Sequence, residues 1–410
     1  MSIELEEIIC GRMRREGGAI SFREFMSMSL YYPGHGYYTS AETQIGRGGD
    51  YFTAPHLHPA FGALVGRQIE QMWQVMDRPT DFHVVEFGPG MGYLAADILG
   101  YLKGSDFFDA LTYLLIELNP YVQSQQEQHL LPVVHPHLAP FADKVRWVAP
   151  MDVSPMRGCI LSNELIDAFP VHVITTVGDQ VRPGAAKNQE RPGAAKNGDD
   201  AFREVWVDGG FGEVLRDCSQ ELRSYAKEFD LPLPRDCKER FWFNGYRTEV
   251  NLVMRDWLRE VSGMLIEGFV FTIDYGYPAW QYYSADRSRG TLVCYSGHRV
   301  SDDPYINVGG QDITAHVNFS ALKRWGEEVG LATVGFCPQG TFMVSMGIDD
   351  LLTGMLTRQR YQVEVAQVKR LLLPQGMGES HKVLIQYKGS LEAPTLRGFS
   401  LRNQRSSLDG

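Results

Sequence analysis

The chain is short of several features, and each shortage removes a class of function. No G-x-x-x-x-G-K-S/T loop occurs, which excludes a P-loop NTPase. No stretch approaches the roughly 18 uncharged residues of a membrane-spanning helix. The start, MSIELEEIICGRMRREGG, has too short an apolar run for a signal peptide and too many acids for a transit peptide, so a cytoplasmic location is expected. Six cysteines, at positions 10, 159, 218, 237, 294 and 337, form no C-x-x-C pair and no cluster; neither a disulfide framework nor a zinc site is expected. Positive charge is scarce too: 39 Lys and Arg against 50 Asp and Glu leave a formal net charge of −11, which argues against binding to phosphate backbones or anionic membranes.

What is present is an ordinary globular composition, 44% hydrophobic and 22% charged over 410 residues, enough to bury a sizeable core. Residues 1–80 read as a helical N-terminal lid, with Phe22, Phe25 and Met26 on one helix ahead of a Pro/Gly/Tyr turn region. From Phe82 onward, short apolar runs (FHVVEF, TYLLIEL, KVRWV, GCILS) alternate with helical or turn-rich segments, the pattern of a doubly wound α/β sheet. A further buried strand is expected at GFVFTIDYG, with KVLIQY closing the sheet. The core is expected over 81–390, with a hairpin and helical insertion at about 173–262 and a mobile tail at 391–410. The insertion holds a direct repeat, RPGAAKNQE then RPGAAKNGD from Arg182 and Arg191, best read as a tolerated duplication in a loop.

The segment VVEFGPGMGYLAADIL places a strand, a glycine turn and a helix start in succession. Such a junction binds anionic groups, because unpaired backbone N–H groups and the helix dipole point at the ligand. The dinucleotide fingerprint is G-x-G-x-x-G, but the glycines here are Gly88, Gly90 and Gly92, and Tyr93 occupies the third fingerprint position. A G-x-G-x-G turn preceded by Glu86 resembles the first motif of S-adenosylmethionine-dependent methyltransferases. That cofactor has a carboxylate for the loop, and an amino group and a sulfonium for Glu86. Glu117, ending the second strand, suits the ribose hydroxyls. After the third strand, Asp152 suits the adenine amino group and Met151 the face of the ring.

The loop after the fourth strand, LSNELIDAFPVHV, faces the crevice in an open α/β sheet, so Asn163, Glu164 and Asp167 are candidates for the reacting side. Carboxylates three apart on one helical turn share a face, and a guanidinium matches a carboxylate by paired hydrogen bonds. The competing reading is a helix start capped by Asn163. His56 and His58 share a face of an extended segment and are read as loop histidines, for want of a third metal ligand. His316 is read either as a general base or as a structural histidine.

Six ordered motifs, GRGGDYFTAPHLHPAFG, EFGPGMG, SNELIDAFPVH, IDYGY, RGTLVCYSGHR and GGQDITAHVNFSAL, resemble the MidA-like methyltransferases, relatives of a mitochondrial complex I assembly methyltransferase. The resemblance runs from about residue 20 to 390. It implies a class I methyltransferase, Rossmann-like fold, S-adenosylmethionine as donor and, from the mitochondrial relative, symmetric dimethylation of an arginine in a respiratory-complex subunit. By position it assigns Gly88, Gly90 and Gly92 to the donor loop, Glu117 to the ribose and Asn163 with Glu164 to the reaction centre. Gly49, Asp50 and Thr53 fall in a lid over the cofactor, and Asp312, Thr314 and His316 line the acceptor side. Glu164, Asp167 and His316 are therefore the expected catalytic residues, acting on a protein acceptor, with neither nucleic acid nor membrane insertion involved. A homodimer, a non-catalytic assembly factor that binds the donor, and a small-molecule methyltransferase stay open.

Overall fold

The computed structural model describes residues 3–40, 53–120, 122–124, 141, 143–176, 202–231, 245–297, 299–355, 361–392 and 394–409. The chain forms two compact units, and both are built from discontinuous stretches. Gly49, Asp50 and the RPGAAKN repeat lie outside the described residues. Among the described residues no helix is long and apolar enough to cross a membrane.

One unit combines Met1–Glu42, Asp167–Met254 and Tyr277–Ala321. Its second helix, Phe22–Tyr31, starts where the Ser21 hydroxyl accepts the Glu24 N–H at 3.2 Å, and it buries Phe22, Phe25, Met26, Ser29 and Leu30 along one face. Tyr305 packs on the rings of Phe22 and Phe25, with centroids 6.0 and 5.5 Å away. The strand Ala19–Ser21 joins the inserted strands, pairing antiparallel with Phe202–Asp208, which in turn pairs with His172–Thr176. The N-terminal segment expected as a single lid over 1–80 is thus shared between units: its first 42 residues belong with the insertion.

The other unit combines Thr43–Ile166, Arg255–Gly276 and Leu322–Gly410. The elements that position the site are α1 (Ala54–Leu57), α2 (Ala60–Val75), β1 (Phe82–Phe87), α3 (Tyr93–Leu102), β2 (Leu111–Ile116), β3 (Val145–Trp147), β4 (Met156–Asn163), β5 (Leu265–Tyr277), β6 (Ala332–Pro338) and β7 (His381–Lys388). The strands lie in the order β3-β2-β1-β4-β5-β7-β6. The pairs from β3 to β5 are parallel, while β7 runs antiparallel to both β5 and β6. The chain order reverses between β1 and β4, and in open α/β sheets the crevice at the carboxyl ends of such strands holds the ligand. Leu94, Ala95, Ile98, Leu99 and Leu102 of α3 are buried as the helical spacing predicts. Gly158 of β4 must be glycine beside β1: a Cβ there would lie 2.0 Å from the His83 carbonyl oxygen.

Two expectations are corrected here. KVLIQY does not close the sheet, because β6 (ATVGFCP) lies outside it. Seven of the eight residues of β7 are buried, as a strand with neighbours on both edges requires. The tail is not loose either. Leu396, Phe399 and Leu408 are buried, Phe336 donates its N–H to Asn403 Oδ1 at 3.2 Å, and Gln404 donates its own to the Phe336 carbonyl at 2.7 Å. The tail thereby occupies backbone groups of the edge strand β6, which would otherwise offer unpaired N–H and C=O groups.

Candidate active site

The glycine turn leaves β1 at Phe87 and enters α3 at Tyr93. Gly88, Gly90 and Gly92 sit at φ +61°, +55° and +73°, left-handed conformations that disfavour any side chain. The Gly88 N–H bonds the Ile116 carbonyl of β2 at 3.0 Å, and the Gly92 N–H bonds the Pro89 carbonyl at 2.9 Å, so the turn is fixed to the sheet and curled on itself. Beneath it Glu86 is buried, and its Oε2 accepts the Tyr113 hydroxyl at 2.7 Å. Burial pushes the Glu86 carboxyl up to about 7 against the opposing pull of that hydrogen bond.

Across the cleft β4 ends at Asn163, and Glu164 follows in a left-handed conformation, φ +51°. A glutamate there costs about 1–2 kcal/mol of backbone energy, strain of the kind that gathers at functional sites. The surroundings hold it in place. The Glu164 N–H bonds the Ile273 carbonyl at 2.9 Å, and the fully buried Asp274 accepts the Ile166 N–H at 2.9 Å and the Tyr275 N–H at 2.8 Å. Burial first, and the charge of Glu164 second, hold the Asp274 carboxyl well above the usual carboxylate range. Glu164 Oε1 accepts the Ala54 N–H at 3.2 Å and the Asn163 amide at 3.4 Å, and His381 Nε2 stands 3.7 Å from it.

One pocket gathers Thr53, Glu86, Gly88, Gly90, Asn163 and Glu164, all expected from the sequence, with Pro55, His56, Pro89, Met91, Tyr93 and Leu94. His56 belongs to its wall: Nδ1 lies 2.7 Å from the Thr53 hydroxyl, and the ring meets Tyr93 edge-on at 5.0 Å. His58 has a different task, its Nδ1 accepting the Ala60 N–H at 3.1 Å where α2 starts. Glu117 directly follows β2, with Oε1 on the Asn119 N–H at 2.8 Å. Met151 and Asp152 lie in the short 3₁₀ turn Pro150–Asp152 after β3, Met151 89% exposed.

Asp167 and His316 do not line this pocket. Both belong to the other unit, where the Asp167 carbonyl accepts the Ala315 N–H at 2.9 Å and the His316 N–H bonds the Thr291 hydroxyl at 3.0 Å. Asp312 and Thr314 lie there as well, Asp312 accepting the Tyr38 hydroxyl at 2.7 Å and Thr314 bonding the Val293 carbonyl at 3.2 Å. The premise for pairing Glu164 with Asp167 was a shared helical turn, and Glu164 lies outside any helix. The second carboxylate acting on Glu164 is Asp274, whose IDYGY motif was visible although its role was not; His381 had no sequence signal at all.

The pocket suits a ligand carrying both an amine and positive charge. Glu86 is buried without a cation, and the buried Asn163 Oδ1 accepts no hydrogen bond among the described residues. The turn adds a side-chain-free surface at a helix start, open to a carboxylate.

Comparison with known proteins matches residues 64–337 to a family described as "Putative S-adenosyl-L-methionine-dependent methyltransferase". The chain is 26% identical over 396 residues to the Drosophila melanogaster "Protein arginine methyltransferase NDUFAF7 homolog, mitochondrial", with 92% of this chain and 83% of that one covered. The Mus musculus protein of the same name, without "homolog", is 27% identical over 387 residues, covering 88% and 79%. A Burkholderia thailandensis crystal structure bound to S-adenosyl-homocysteine has a TM-score of 0.80 and 28% identity, covering 98% of this chain and 96% of that one.

Proposed function

We propose, from the premise that this chain belongs to that S-adenosyl-L-methionine-dependent methyltransferase family, that it methylates an arginine of a protein acceptor. The fold is the class I methyltransferase fold, and the donor is S-adenosylmethionine. When bound, this cofactor supplies an electrophilic methyl group on a sulfonium. Glu86 and Asn163 fit its amino group and positive charge, the turn at Gly88 to Gly92 its carboxylate, and Glu117 its ribose. Met151 and Asp152, in the turn after β3, are read as its adenine contacts.

The reading of the acceptor rests on Glu164. Its carboxylate enters the pocket on a strained, fixed backbone opposite the glycine turn. A protonated guanidinium is a poor nucleophile. A carboxylate that accepts its N–H orients the nitrogen, raises the electron density there and receives the proton that the nitrogen gives up. The names of the relatives support arginine, and the sequence resemblance adds a respiratory-complex subunit as the class of acceptor.

The test incubates purified protein with methyl-labelled S-adenosylmethionine and an extract of source cells lacking the gene, with Gly90→Arg as the inactive control. A discrete labelled band carrying methylarginine by mass spectrometry is expected. Label on another residue type, or only on small molecules, would overturn the arginine assignment.

Glu86 adds a pH dependence with a defined sign. Cationic donor binds the ionised carboxylate, and with burial holding the group at about 7 ionisation is only half complete there. Donor affinity is expected to rise with pH and level off near pH 8, with a loss of about tenfold or more at pH 5.5. In the free protein the same group acts in the opposite direction: its contribution to stability is full below the unfolded value of 4.5 and lost as pH rises through about 7. Calorimetric titration across pH 5.5–8.5 checks this. Glu86→Gln should flatten the profile, and an unchanged slope in that variant would show that another group is responsible.

A further inference from the structure

The hydrogen bonding of Glu164 is lopsided. Oε1 faces the Ala54 N–H, the Asn163 amide and His381 Nε2, whereas Oε2 accepts no hydrogen bond among the described residues, and the side chain is 12% exposed. His381 Nε2 is buried and has no hydrogen-bond partner among the described residues, and Nδ1 lies 3.0 Å from the Ser380 hydroxyl. The ring cannot wander far. It stands on the first residue of β7, in register with Tyr275 of β5, and its centroid lies 5.5 Å from that of Tyr275. The charged and titratable groups facing it are Glu164 from the turn after β4, and Asp274 and Tyr275 from β5. Lys382, its neighbour in β7, turns its amine to the carbonyl and carboxylate of Glu379.

We propose that His381 is a positioning residue for the methyl transfer: its Nε2–H donates to Glu164 Oε1 and so keeps Oε2 turned toward the methyl acceptor. This rests on the reading that Glu164 faces the acceptor. A carboxylate turns about its last torsion at little cost, because that torsion is broad and two-fold. Three donors converging on Oε1 make the two oxygens inequivalent and oppose the turn. Two of them, a backbone N–H and the amide of the preceding residue, come from the cleft wall itself. His381 alone comes from β7, and it fixes the carboxylate from the side of the sheet. At 3.7 Å the contact is longer than a hydrogen bond. Catalytic hydrogen bonds are commonly long before the acceptor is bound and shorten when it arrives. The consequence is large because a misplacement of about 1 Å at a reacting group costs on the order of a hundredfold in rate.

Two variants separate donation from bulk. His381→Phe keeps a ring against Tyr275 and removes the donor; His381→Gln restores an N–H close to the Nε2 position. With the full chain, labelled S-adenosylmethionine and the gene-deleted extract, His381→Phe should incorporate label about tenfold to a hundredfold more slowly, and His381→Gln should come within about threefold of wild type. Both should bind donor as wild type does. A readout independent of turnover and of His381 substitution comes from ¹⁵N-histidine NMR of the ligand-free protein, where Glu164→Gln should move the His381 Nε2 resonance and leave that of His172 in place. The proposal is overturned if Glu164→Gln leaves the His381 ring unmoved, or if folded His381→Gln is as slow as His381→Phe. Label on a residue other than arginine would remove the acceptor assignment and still leave both tests of His381 in force.

Discussion

Glu164→Gln is expected to lower kcat for methyl transfer by about a thousandfold while leaving affinity for S-adenosylmethionine within about twofold of wild type. The substitution is close to isosteric. The glutamine oxygen can still accept the Ala54 N–H and the Asn163 amide, so the cleft wall keeps its shape. What changes is the other terminal atom, an acceptor oxygen replaced by an N–H₂ that faces the N–H groups of the incoming nitrogen. Two donors then confront each other, and the nitrogen loses the base that takes its proton. Donor binding is governed from the opposite wall by Glu86 and the glycine turn and should survive. Folding should survive as well. Removing the charge of Glu164 takes away one of the two influences that raise the Asp274 carboxyl, so thermal stability should stay level or rise near neutral pH. Single-turnover kinetics and donor calorimetry on the same preparation decide the point. Parallel loss of donor affinity and kcat would mean that Glu164 holds the cofactor rather than the acceptor.

That division of labour was only partly legible in the chain. The five parallel strands announce themselves because a strand covered on both faces reads as a continuous apolar run, and FHVVEF, TYLLIEL and GCILS are such runs. The glycine turn was readable because left-handed backbone at three alternate positions needs glycine at each. β6 was missed: ATVGFCP is short, carries Gly335 in its interior and ends on Pro338, two residues that read as turn signals although six of its seven residues are buried. Leu396, Phe399 and Leu408 of the tail follow no period, because they fill local gaps instead of forming one face of a helix or strand.

Asp274 and His381 were hidden for a different reason. Ile273 is in register with Asn163 across the parallel β4–β5 pair, and Tyr275 is in register with His381 across the antiparallel β5–β7 pair. Strand register alone brings Asp274 beside Glu164 and His381 opposite it, and no local spacing reports register between distant segments. The loop after β4 shows the limit of spacing in another way: Asp167 begins no long helix but sits in the short 3₁₀ turn Ile166–Ala168, and Glu164 precedes that turn outside any helix, so a shared helical face cannot be assumed for the two.

Gly88→Val should weaken binding of S-adenosylmethionine by at least about a hundredfold, close to 2.7 kcal/mol. Two independent costs contribute. At φ +61° an L-residue loses about 1–2 kcal/mol, and a β-branched residue fits that region worst of all. A Cβ at this position would also lie 2.9 Å from Leu165 Cδ1, and the branches of valine would enlarge the conflict. The turn has little room to yield, because its N–H at Gly88 is bonded to β2 and the Gly92 carbonyl already accepts the Ala96 N–H inside α3. Any relaxation therefore moves either the helix start or Leu165, the residue next to Glu164. Calorimetry in a Leu165→Ala background separates the two costs: the clash should be relieved and the backbone cost should stay, leaving a deficit of about tenfold. Full recovery in that background would assign the whole effect to Leu165, and wild-type affinity in Gly88→Val alone would remove the turn from the donor site.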